Sequence, residues 1–227
     1  MSIISVQNIM SLSTLNFSGD PNLGLYSFAT DEICLIPPLK KWVENEIKKS
    51  LDVKTVKTSL AGTNILGIFA AGNSNGLLLP EIARKQELEN LKKHTEVLVL
   101  KGKYTALGNL ILANDKGCII SEKIKKYKPD IEDFLHVKVT VHEIADLEIV
   151  GSLALATNKG CLVSKIATKK DLEIIEKVLE VKAGFATVNF GSIFVKSGLL
   201  ANSKGALIGD HTTGPEIQNI TEMLGFI

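Results

Sequence analysis

The sequence predicts a mixed α/β (α+β) fold: five copies of one β-β-α-β unit arranged as a closed, propeller-like ring. Three recurrences predict it. Small-residue turns end at Gly76, Gly117, Gly160 and Gly205, which lie 41, 43 and 45 residues apart, and a fixed period of this length marks repeat architectures. Nine residues before the closing position of a turn stand Gly24, Gly67, Gly108 and Gly151 in the first four copies, and Lys196 in the fifth. After each turn come a polar stretch with helical spacing and then an alternating strand.

The elements of the unit follow in order. The first apolar run occupies residues 25–28, 68–71, 109–112 and 152–155. The turn comes next, as in Ala113-Asn114-Asp115-Lys116-Gly117, with Ala29-Thr30-Asp31-Glu32-Ile33 a degenerate first copy. A second apolar run follows: Cys34-Leu35-Ile36, Leu77-Leu78-Leu79, Cys118-Ile119-Ile120, Cys161-Leu162-Val163 and Ala206-Leu207-Ile208. Two such runs joined by an Asn/Asp/Gly turn read as a hairpin, because those residues accept positive φ. Their unbroken apolar character implies strands covered on both faces.

The helical segments are 41–51, 84–94, 129–135, 169–179 and 215–224. In the fourth, Leu172, Ile175, Val178 and Leu179 form one apolar stripe. Pro129 and Pro215 suit a first helical turn, and Thr213 with Glu216 reads as a capping box. Returning strands cover 53–59, 96–100, 137–141 and 181–188. The fifth unit has no returning strand before the chain stops, so a strand at Ile3-Ile4-Ser5-Val6, within residues 1–10, is expected to dock there and remove the open edge. One domain is expected over 1–227, with units near 15–60, 61–104, 105–145, 146–189 and 190–227.

Composition limits the function. The chain has 227 residues, 45% of them hydrophobic and 5% aromatic, with a net charge of +1. That balance argues against a protein that holds nucleic acid by bulk electrostatics or by base stacking. The lysine clusters (Lys123, Lys125, Lys126, Lys128; Lys169, Lys170) read as solvated faces. Residues 1–17 contain no Lys or Arg, so no secretory signal is expected, and no apolar run has the roughly 20 residues of a membrane span. Three cysteines without a Cys-x-x-Cys pair point to a reducing compartment.

Candidate chemistry is sparse. Cys34, Cys118 and Cys161 occupy one repeat position, as a buried core residue would and a unique nucleophile would not. His94, His136, His142 and His211 have no metal-ligand spacing, and His94 and His136 end helices, where a cation suits the dipole. Asn109 and Asn189 read first as turn residues.

Several motifs resemble the archaeal and eukaryotic translation initiation factor 6 family. They are Ser59-Leu60-Ala61-Gly62, Gly76-Leu77-Leu78-Leu79-Pro80, Thr105-Ala106-Leu107-Gly108-Asn109, Ile149-Val150-Gly151-Ser152, Thr187-Val188-Asn189-Phe190-Gly191-Ser192 and Gly209-Asp210-His211-Thr212-Thr213-Gly214-Pro215-Glu216. The resemblance spans essentially the whole chain. It implies the pentein fold, a five-bladed ring of β-β-α-β units. It also implies a cytoplasmic, non-enzymatic factor that binds the large ribosomal subunit, keeps the small subunit from joining and takes part in large-subunit maturation. The implied partner is mainly a ribosomal protein of the L14 type near the sarcin-ricin loop, with no cofactor, no DNA and no membrane, and the factor is expected to be a monomer. The implied interface is Gly24, Gly67, Ile68, Gly108, Asn109, Gly151, Ser152, Ser192 and Phe194, at the starts of the first hairpin strands. The long C-terminal tail of eukaryotic members is absent from this sequence. The alternative pentein activity, guanidine modification by a deiminase or amidinotransferase, needs a late cysteine nucleophile, and the last cysteine here is Cys161.

Overall fold

A computed structural model describes residues 11–227, in which five separate three-stranded sheets carry helices. After strand β1 (Ser11–Leu15), the first unit contains the one-turn helix α1 (Leu23–Tyr26), strands β2 (Phe28–Ala29) and β3 (Ile33–Ile36), helix α2 (Lys41–Leu51) and strand β4 (Lys54–Lys57). The second contains α3 (Leu66–Phe69), β5 (Ala71–Asn73), β6 (Gly76–Pro80), α4 (Lys85–Leu91) and β7 (Val97–Leu100). The third contains α5 (Leu107–Leu110), β8 (Ile111–Ala113), β9 (Gly117–Ile120), a 3-10 turn (Glu122–Tyr127), α6 (Lys128–Leu135) and β10 (Lys138–Val141). The fourth contains α7 (Val150–Leu153), β11 (Ala154–Ala156), β12 (Gly160–Ser164), α8 (Lys169–Leu179) and β13 (Lys182–Ala186). The fifth contains a 3-10 turn (Val195–Gly198), β14 (Leu199–Ala201), β15 (Gly205–Gly209) and α9 (Gly214–Met223).

In each unit the middle strand pairs antiparallel with the strand before it. In the first four it also pairs parallel with the strand after the helix. The fifth sheet takes its parallel partner from the other end of the chain: β1 pairs with β15, from Ser11 opposite Gly205 to Leu15 opposite Gly209. A strand from the N-terminal region therefore completes the last sheet as expected, but it lies at 11–15. The expected strand Ile3–Val6 lies outside the described residues.

The middle strands are buried on both faces, which accounts for their unbroken apolar runs. In β9, Cys118 and Ile120 pack with Ile131 and Leu135 of their own unit's α6. Between them Ile119 packs with Ile175 and Leu179 of α8 in the next unit. Each of the five core clusters draws on two neighbouring units in this way, so no unit has a core of its own.

Two sequence expectations are corrected. The residues from Gly24, Gly67, Gly108 and Gly151 onward do not begin the first hairpin strands; they sit in α1, α3, α5 and α7, and the strands start later. The turn-closing glycines Gly76, Gly117 and Gly160 do not have positive φ. They are glycines because of close approach: a Cβ on Gly117 would lie 1.9 Å from the Val178 carbonyl oxygen, and one on Gly160 would lie 1.9 Å from that of Met223. Each is pressed against the helix of the following unit.

Side chains of the turns also tie units together. Asn73 Nδ2 donates to the carbonyls of Asn114 (3.2 Å) and Leu135 (3.0 Å). Asn114 repeats this toward Thr157 (3.1 Å) and Leu179 (2.9 Å), and Asn202 toward Thr30 (3.2 Å) and Leu51 (2.9 Å) of the first unit.

Candidate functional site

At the opposite end from these turns lie the four one-turn helices and the 3-10 turn Val195–Gly198. They pack in sequence, α1 on α3, α3 on α5, α5 on α7 and α7 on the 3-10 turn, which also packs on α1. Glycine in the second position permits this. A Cβ on Gly67 would lie 1.9 Å from the Gly24 carbonyl oxygen, and one on Gly108 would lie 2.0 Å from that of Gly67. Backbone meets backbone there, with room for nothing larger than hydrogen.

The third position of each turn faces outward. Leu25, Ile68, Asn109, Ser152 and Ser197, one from each unit, line a single depression of about 370 Å³. Asn22, Gly24, Gly67, Ile149, Ser192, Phe194 and Lys196 complete it. Of the nine residues named from the sequence, Gly24, Gly67, Ile68, Asn109, Ser152, Ser192 and Phe194 meet here. Gly108 and Gly151 do not line it; they are buried in the turn-to-turn contacts. Sequence reasoning missed Leu25 and Ser197, although their place in the repeat is that of Ile68, Asn109 and Ser152.

Lys196 replaces the second-position glycine in the fifth unit. Its Nζ donates to the carbonyls of Gly67 (2.8 Å) and Gly108 (2.7 Å) and lies 5.7 Å from the centre of the Phe28 ring. Partial loss of its water, for a side chain that is half-buried, pushes its ammonium down to about 7.

Two aromatic side chains are exposed nearby in sequence: Phe194, which lines the depression, is 45% exposed, and Phe190, two residues before the lining Ser192, is 84% exposed. Phe190 sits in a loop whose backbone is left-handed at three successive residues, Asn189 (φ 46°), Phe190 (φ 65°) and Gly191 (φ 93°). A bulky residue with positive φ is strained and needs outside support. Glu216 supplies it. Its carboxylate accepts hydrogen bonds from Thr187 Oγ1 (2.6 Å), the Gly191 N–H (2.9 Å), and the Thr213 N–H and hydroxyl (both 2.8 Å). Burial alone would raise its pKa, but these donors outweigh that and hold it at about 2. The expected Thr213/Glu216 capping box is present, and the same carboxylate holds the Phe190 loop. Glu87 and Asp171 do likewise for the loops at Ala61-Gly62 and Ala145. Asn189 also ties units together: its Nδ2 donates to the Pro21 carbonyl at 3.2 Å.

The remaining candidate groups have structural places. Cys34, Cys118 and Cys161 are fully buried and free, and burial pushes their thiols well up, away from the reactive thiolate. His136 caps α6 in a left-handed conformation, and His142 Nε2 lies 2.8 Å from Asp171 Oδ1. Among the described residues no group of three or more His, Cys, Asp or Glu could hold a metal ion, and no helix is long and apolar enough to cross a membrane. In the lysine clusters, Lys123 pairs with Glu148 and Lys125 with Glu122.

Residues 12–223 match the model of the eIF-6 family. The chain is 42% identical over 220 residues to translation initiation factor 6 of Methanocaldococcus jannaschii, covering 93% of this chain and 96% of that one. It is 39% identical over 218 residues to the factor of the same name from Staphylothermus marinus, with 93% and 96% covered. It is 38% identical over 227 residues to that of Pyrococcus horikoshii, with 96% and 100% covered. On the family match and on relatives spanning nearly the whole chain, this protein belongs to the eIF-6 family and has the role of a translation initiation factor.

Proposed function

We propose that this chain binds the large ribosomal subunit and, by occupying the face that the small subunit approaches, prevents the two from joining. In this reading the five units form the closed pentein ring, and the docking end is the one that carries the depression. The observation that carries the proposal is the gathering of five equivalent residues, Leu25, Ile68, Asn109, Ser152 and Ser197, around one depression that the exposed Phe194 also lines, with the exposed Phe190 in the loop that leads to it. Exposed aromatic side chains held by a rigid frame are what a protein interface uses as anchors.

The single cation lining the depression suits docking on a protein surface rather than bare RNA. A ribosomal protein of the L14 type near the sarcin-ricin loop is the expected partner, met by a monomer in the cytoplasm. Steric exclusion needs no cofactor and no catalytic group. The same binding would act during large-subunit maturation.

Cosedimentation with separated subunits tests this. Binding to the large subunit alone, with loss of joined ribosomes, is the expected outcome; binding to neither subunit overturns it. Asn109→Arg combined with Phe194→Glu is expected to abolish binding while leaving thermal unfolding nearly unchanged, because both side chains are partly exposed. Undiminished binding by that variant would mean the interface lies elsewhere.

A further inference from the structure

Lys196 has a charge that no described residue answers with one of opposite sign. An ammonium has three donors, and two of them reach neutral carbonyls, those of Gly67 and Gly108. Among the described residues no carboxylate lies within ion-pair distance of Nζ. The elements packed around it contain no acidic or basic side chain: α1, α3, α5, α7, β11 and β14 are built from Leu, Ile, Val, Ala, Gly, Phe, Tyr, Asn and Ser. Their one titratable group is Tyr26, whose hydroxyl donates to Asp20 at 2.6 Å. The Cys161 thiol of β12 is fully buried and stays protonated. Lys196 is half-buried, and even a partly desolvated cation without a counter-charge is costly.

The surroundings show what would complete it. Lys196 lines the 370 Å³ depression and also a smaller cavity of about 60 Å³. The walls of the larger one combine apolar side chains (Leu25, Ile68, Phe194) with short neutral donors (Asn109, Ser152). A phosphate dianion calls for several cations or a guanidinium fork, and a single ammonium among apolar walls matches a monoanion on a short apolar stem. We propose that the depression is a carboxylate-binding site, in which an Asp or Glu side chain of the docked protein accepts the third N–H of Lys196. This rests on the docking reading above. Partial enclosure favours such a pair, because the cation has already given up part of its water before the partner arrives and a docked partner would screen the attraction little. Binding therefore takes the protonated lysine.

Two measurements test it. In the free chain, NMR of the Lys196 ε-methylene, identified by its absence in Lys196→Met, is followed from pH 6 to 9. Acetate, chloride and inorganic phosphate are compared at one ionic strength. Acetate is expected to raise the titration midpoint saturably. An unchanged midpoint, or a larger effect from phosphate, overturns the carboxylate site whatever the ribosome does.

The second measurement is affinity for the large subunit. With an ammonium that titrates at about 7, wild type is expected to bind roughly 20-fold more tightly at pH 6.5 than at pH 8.5. Lys196→Met and Lys196→Gly are expected to bind weakly with that step removed; the glycine variant carries the residue found at this place in the other four units. A wild type that binds equally at both pH values overturns the inference. A wild type that binds at neither pH overturns the docking reading instead, and the acetate titration still decides the site.

Discussion

Gly67→Ala sets two effects of opposite sign against each other. Gly67 lies in the one-turn helix α3, and its φ is not in the left-handed range. Alanine therefore fits the backbone and should gain up to about 1 kcal/mol from helix propensity and reduced freedom of the unfolded chain. Against this, the new Cβ would lie 1.9 Å from the Gly24 carbonyl oxygen and 2.7 Å from that of Ser27. Both obstacles are backbone atoms of the neighbouring unit, so no side chain can swing away, and α1 and α3 must separate. Overpacking of this kind costs about 1–3 kcal/mol where the surroundings can yield, and here the yielding group is a whole turn, so the upper part of the range applies. The net expectation is a loss of about 2 kcal/mol, or roughly 4–8 °C in Tm for a chain of this size. Thermal and urea unfolding by circular dichroism measure it. Gly214→Ala is the control: Gly214 begins α9 and has nothing within 4 Å of its Cβ position, so alanine should be neutral or slightly stabilising. A Gly67→Ala protein as stable as wild type would refute the reasoning, because it would mean that the contact between turns is not close.

Glu216→Gln should loosen the Phe190 loop and cost about 1–2 kcal/mol, a figure reduced for the partial exposure of the carboxylate. Since the folded pKa of about 2 lies below the ordinary glutamate value of 4.5, this stability is present above pH 4.5 and lost as pH falls toward 2; a wild-type–variant difference in urea unfolding that does not shrink over that window would contradict it. Asn114→Ala should cost about 3 kcal/mol and about 9 °C in Tm, because it strips buried partners from Thr157, Leu179 and the turn amides of Lys116 and Gly117; a change below about 1 kcal/mol in thermal unfolding would show that the units are not joined through this side chain.

What was legible in the sequence was what repeats locally. The turns, the doubly covered middle strands, the helices and the shared place of the three cysteines all have a signature within one unit. The one-turn helices did not: four residues are too few to show a period, and their apolar side chains merge with the strand that follows. The glycines beside them were visible, but their cause was not, because each answers a carbonyl in another unit. The reach of Lys196 to Gly67 and Gly108, and of Glu216 to Gly191, joins residues far apart in sequence. Only the break in the glycine pattern marked Lys196 as different. The strand that completes the fifth sheet, Ser11-Leu12-Ser13-Thr14-Leu15, was not singled out because Ile3-Ile4-Ser5-Val6 is more apolar, and only its pairing with β15 reveals it.

That pairing has a consequence for how the chain is made. During synthesis β1 emerges before the first four units and its partner β15 only after them. Loop-closure entropy opposes so distant a contact until the intervening units are in place. The first unit's core includes Leu200 and Leu207 as well as Leu15 and Phe17, so it too waits for the fifth unit. The nascent chain therefore carries an unfinished apolar surface while the units between are made, and the fifth unit, once made, completes its own sheet and the first unit's core together.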